Sequence, residues 1–170
     1  MTTVPTWDLF IVLFFIIGVG YSYILQRDRV VVTLISVYVA LVITPLLVGP
    51  VSGFFTGENT MVGKFFINSD ISPFTIQAII FGIIVALVSA KSGISGQESK
   101  GMMSSAEIFF YSLMTISLII SSLLYFMPEA QRAGFDEASK IAHYLIKYHT
   151  LNIIGPIVVL VFLGYRRSSD

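Results

Sequence analysis

Residues 7–25 read WDLFIVLFFIIGVGYSYIL, residues 26–29 read QRDR, and residues 30–48 read VVVTLISVYVALVITPLLV. Bilayer hydrocarbon is about 30 Å thick and a helix rises ~1.5 Å per residue, so one crossing takes roughly 20 residues. Each apolar run has that length, and the four polar residues between them leave room only for a tight turn. The two runs are therefore expected to form an antiparallel pair of membrane spans, with Pro45 and Pro50 ending the second. No Lys or Arg precedes the first run, and Arg27 and Arg29 follow it, which is the reverse of a cleaved leader. The run is expected to stay in the membrane with its N-terminus outside.

The remainder of the chain agrees with this beginning. It is 55% hydrophobic and 12% charged over 170 residues, and its mean hydropathy is +0.87, outside the range of soluble domains. Residues 74–90 make a third span, with Ser72 and Pro73 as a helix start, and residues 108–127 a fourth. Residues 151–165 are short for a crossing and contain Gly155 and Pro156, and they are read as a fifth, tilted span. The expected fold is all-α: one membrane domain over residues 1–170, a polytopic bundle of about five spans. Residues 128–150 add an amphipathic outer helix, because Ala138, Ile141, Ala142, Leu145 and Tyr148 recur at helical spacing. In the outer loop 49–72, Phe54, Phe55, Phe65 and Phe66 point to a segment lying against the bilayer or the bundle.

With five crossings, Arg27, Arg29, Lys91, Lys100, Arg166 and Arg167 fall on one side and Lys64, Arg132, Lys140 and Lys147 on the other. The more basic side is inside, which again puts the C-terminus inside. Ten Lys and Arg balance ten Asp and Glu, so nothing marks a nucleic-acid surface, and the expected partners are membrane lipids and other membrane chains or copies of this one. With no cysteine, thiolate chemistry and sulfur-ligated metals are excluded.

Apolar helices in lipid gain little by burying more apolar surface, so close approach through small residues has to hold them together. Gly18 and Ser22 share a face of the first span, Ser36 and Ala40 of the second, Gly82 and Ala86 of the third, and Ser117 and Ser121 of the fourth. These four pairs, with Ile141 and Leu145 of the outer helix, are the candidate packing or partner surfaces. Other polar residues suggest little chemistry. Asp8, Lys91 and Glu107 lie at span ends, Gln77 is a turn inside the third span, and none supplies a midplane charge for transport. His143 and His149 are six apart rather than i, i+4, a poor spacing for metal on one helix face, and are expected to be solvated or interfacial. Residues 18–20 lack the further glycine of a dinucleotide loop, residues 93–96 read as a turn, and the serines are expected far from either histidine. No cofactor, metal or catalytic residue is assigned. The expected role is a non-catalytic membrane subunit or scaffold. The alternative is a small oligomeric channel or transporter component whose pathway is lined by Ser112, Thr115, Ser117, Ser121 and Ser122.

An acid opening the first span at Asp8-Leu9, the run ending Gly18-Val19-Gly20-Tyr21, the turn with Arg27 and Arg29, and the Val/Leu/Ser-rich second span resemble the start of the CvpA-like (colicin V production) membrane proteins of bacteria. The resemblance covers about the first quarter of the chain. It implies a multispan protein of the bacterial inner membrane, without an established catalytic motif and without residues to carry over. The chain departs from that pattern in having Asp28 after Arg27, where the family usually has glycine, and in its fifth span.

Overall fold

The computed structural model describes residues 7–24, 27–55, 72–91 and 105–167. They form seven helices and no strand: α1 (Trp7–Ile24), α2 (Arg27–Phe55), α3 (Pro73–Lys91), α4 (Ser105–Phe126), α5 (Glu129–Ala138), α6 (Lys140–Lys147) and α7 (His149–Arg167). Four of these, α1 to α4, are long and apolar enough to cross a membrane. A fifth crossing exists only if α6 and α7, bent by 69° at the break between them, count as one span. The fifth crossing expected over residues 151–165 alone is thus half of a broken pair.

The helix α4 lies at the centre. Ile108, Tyr111 and Leu118 on one side of it join Val30, Leu34, Val37 and Ala40 of α2 and Phe81 and Ile84 of α3 in one core. Its Ile116, Ile120 and Leu124 join Ile11 of α1 and Ala142 and Leu145 of α6 in a second. A helix apolar around most of its circumference can be buried on several sides, and α4 is. Its hydroxyls do not conflict with this burial. Ser112, Thr115 and Ser122 donate to the carbonyls of Ile108, Tyr111 and Leu118 one turn back, at 2.7, 2.7 and 2.6 Å, which satisfies them without water.

The helix pairs that pack most closely, α2 with α3, α1 with α4 and α4 with α7, run antiparallel. Tyr23 near the end of α1 donates to the carbonyl of Ser105 at the start of α4, and Asp8 at the start of α1 reaches Ser139 and Ile141, beyond the end of α4. Thr33 early in α2 lies 3.4 Å from Ser89 late in α3. The predicted hairpin of the first two spans is splayed: α1 packs chiefly on α4 and α2 on α3. Close contact at Gly18 decides this for α1, since an added Cβ there would stand 2.6 Å from Ile116 Cδ1.

Two expectations about helix ends are corrected. The helix α2 does not stop at Pro45 or Pro50 but runs on to Phe55. Each proline removes one amide donor, yet leaving the helix inside an apolar environment would unpair several backbone groups at once. The outer segment is two helices rather than one, separated by Ser139 at φ −140° and ψ 122°. Ser139 breaks the run because it caps α6, its Oγ accepting from the amide of Ala142 at 3.0 Å. Of the expected apolar stripe, Ala142 and Leu145 are buried, Ile141 is half-buried, and Ala138 and Tyr148 are exposed. The loop residues Phe65 and Phe66 and the turn at 93–96 lie outside the described residues, as do the side chains of Phe54 and Phe55.

Candidate functional site

Polar side chains gather where α6 gives way to α7. The last carbonyls of a helix lack amide partners, and here α4 reaches one of them. Ser121 Oγ donates to the Leu145 carbonyl at 3.0 Å and lies 2.7 Å from His149 Nδ1. One turn further along, Ser117 Oγ donates to Asn152 Oδ1 at 3.2 Å. A serine carries one proton. Spent on the carbonyl, it leaves Oγ as the acceptor and His149 Nδ1 as the donor, so all three groups are satisfied. In that arrangement the imidazole is not poised as a base toward Ser121, which is 1% exposed.

The histidine ring is held from outside as well. It stacks on Tyr125 with centroids 4.4 Å apart and planes 9° off parallel, and the Arg132 guanidinium of α5 lies 5.2 Å from the Tyr125 centroid. His149 is half-buried and packed on Tyr125, which fits the interfacial alternative of the sequence reading, but a serine lies beside it, contrary to that reading. The two residues are 28 apart in the chain, and only the antiparallel packing of α7 on α4 joins them. His143 is exposed and pairs with Asp136 at 2.9 Å. The two histidines have separate partners, and no cluster suited to a metal ion occurs among the described residues.

Beside the Ser117–Asn152 bond a groove of about 280 Å³ opens, lined by Phe15 of α1, Leu113 and Ser117 of α4, and Asn152, Gly155 and Pro156 of α7. Pro156 denies the Asn152 carbonyl its amide donor. In the same turn the carbonyl of Ile153 accepts from Tyr38 Oη of α2 at 2.5 Å, so a neighbouring helix stabilises the loosened backbone. A second polar junction lies at the other end of α6. Asp8 Oδ1 accepts from Ser139 Oγ at 2.5 Å and from the Ile141 amide at 3.1 Å, and Trp7 packs edge-on against Phe135 with centroids 4.5 Å apart.

The residues proposed as packing surfaces divide between the inside and the outside. Gly18 faces Ile116, and Ser22 donates to the Gly18 carbonyl at 2.9 Å. Ser36 and Ala40 are fully buried, Leu145 and Ile141 belong to the α1–α4–α6 core, and Ser117 and Ser121 make the bonds above. Gly82 and Ala86 are exposed on α3, and a Cβ at Gly82 would meet nothing within 4 Å. The sequence reading missed Asn152, Tyr125, Arg132 and the capping role of Asp8. The signal available for the first was the Gly155-Pro156 pair beside it, and for the last an acid at a span's edge. No family model, curated protein or solved structure matches the chain.

Proposed function

We propose that the chain is a non-catalytic integral membrane subunit or scaffold, with its N-terminus outside and its C-terminus inside, in a bacterial inner membrane as the resemblance of its first hairpin implies. One observation carries this reading: the hydroxyls of α4 are consumed within the protomer. Ser112, Thr115, Ser121 and Ser122 are at most 5% exposed, and each is bonded to a carbonyl of its own chain. A pore between chains would need them on a shared outer face. Their burial supports packing instead. The small residues still exposed, Gly82 and Ala86, lie on α3, where a helix of a partner or of another copy can approach closely.

The test is extraction of a tagged chain from its own membranes in mild detergent, with mass measurement of the intact particle. A homo-oligomer or mixed complex is expected, reduced to single chains by Gly82→Leu with Ala86→Leu. Ion conduction by the reconstituted particle, in whatever number of copies, overturns the reading in favour of a pore, and a particle holding one copy of this chain alone, without conduction, overturns it as well.

A further inference from the structure

The groove between α1, α4 and α7 is one part of a longer column. Along α4, Leu113, Ser117, Ser121 and Tyr125 recur every fourth residue and so share a face. Leu113 and Ser117 line the groove, Ser121 meets His149, and Tyr125 carries the His149 ring and the Arg132 guanidinium. The face thus runs from apolar, through hydroxyl and amide, to cationic. Twelve residues of helix span about 18 Å, and a bilayer of about 40–45 Å with its headgroups has leaflets of about 20–22 Å. The column is as long as one leaflet is deep, and its polarity runs the same way.

We infer that this column is a site for one anionic phospholipid, with an acyl chain in the groove, the ester region beside Ser117 and Asn152, and the phosphate at Arg132. Charge complementarity selects this occupant. Arg132 makes no ion pair among the described residues, so its guanidinium is open to a phosphate. The face is open to lipid at its two ends, since Leu113, Leu151 and Tyr125 are exposed; between them Ser121 is covered, and the half-buried His149 ring bonded to it forms the surface there. Two further features shape the groove. Gly155 has no side chain, and a Cβ there would meet nothing within 4 Å, so the groove is space left open along α7. Pro156 leaves the Asn152 carbonyl without its amide donor, which adds a polar acceptor beside Ser117 and Asn152 where the ester region would lie. The inference uses the membrane placement of the helices and not the scaffold role.

The purified chain, titrated in detergent with dioleoyl phosphatidylglycerol or dioleoyl phosphatidylcholine and read by native mass spectrometry, tests it. One saturable phosphatidylglycerol adduct per chain is expected, favoured over phosphatidylcholine by about fivefold, the usual effect of one basic residue at a lipid surface. Arg132→Gln should remove that preference, and Lys140→Gln, a loss of the same charge elsewhere, should keep it. Gly155→Leu adds bulk to the groove lining at a position where a Cβ meets nothing within 4 Å, and should weaken both adducts while leaving helicity unchanged. Equal binding of the two lipids, a preference that survives Arg132→Gln, or adducts indifferent to Gly155→Leu would each overturn the site. So would a Gly155→Leu variant that changes only chain-to-chain association, since the groove would then belong to a second copy. Loss of association in the Gly82 and Ala86 variant bears on the scaffold reading alone.

Discussion

Gly18 and Gly20 are two residues apart on α1 and differ in what a methyl group would meet. At Gly18 an added Cβ would lie 2.6 and 2.8 Å from Ile116 Cδ1 and Cγ1, and at Gly20 it would touch nothing. Gly18→Ala should lower stability by about 1–2 kcal/mol, the cost of overpacking less the helix propensity gained. Adding Ile116→Val, which removes Cδ1 but keeps Cγ1, should recover part of it. Gly20→Ala should be neutral or stabilising by up to about 1 kcal/mol. Thermal midpoints in one detergent decide between these outcomes, and equal effects at the two glycines would refute the close approach. Thr44 presents the opposite case, a fully buried hydroxyl with no hydrogen-bond partner among the described residues. Thr44→Val keeps the shape and removes an unsatisfied group, so it should stabilise, by about 1 kcal/mol. A destabilised valine variant would mean that the hydroxyl is bonded.

At the scale of elements, α4 uses its serines in two ways. Ser112 and Ser122 bond only to their own helix, whereas Ser121 ties α4 to the end of α6 and the start of α7. Ser122→Ala should therefore be nearly silent. Ser121→Ala should cost about 0.5–1.5 kcal/mol, the range for interhelical hydrogen bonds in membranes, and should loosen the break, seen as faster amide exchange at residues 145–152. Equal effects of the two alanines would show that the bond to the break contributes nothing. The start of α6 depends in the same way on α1. Asp8→Ala removes the acceptor for Ser139 Oγ and the Ile141 amide and should speed exchange at residues 139–142, while Asp8→Asn, which keeps an acceptor oxygen, should do so less. If both variants exchange alike, the cap is not what holds α6 to α1.

For the whole molecule, the antiparallel packing of the helices makes a labelling prediction. In the proposed orientation, single cysteines placed at Ala130 should react with an impermeant reagent from outside, and those at Gln97 and Ser169 only from inside. The native chain has no cysteine, so each label reports one position. Reaction of Ser169→Cys from outside would mean that the α6–α7 pair turns back without crossing, and the bundle would have the four spans that α1 to α4 provide.

The helical membrane fold was legible because hydropathy over some twenty residues is a local quantity that lipid reads directly. Residues 7–25, 30–48, 74–90 and 108–127 each fall largely within a helix of the structure. Ends were less legible: Pro45 stops a helix in water but not where leaving the helix would strand backbone groups in an apolar layer. Ser139 was hidden as a breaker because its capping depends partly on Asp8, 131 residues away. The candidate site was not legible at all as a site. Ser117 and Ser121 could be singled out by spacing, but His149 and Asn152 meet them only because α7 packs antiparallel on α4, and Arg132 arrives from a third helix. Local pattern determines that a segment enters the membrane. Which of its faces meets which neighbour is a property of contacts distant in sequence, and tertiary packing alone decided it.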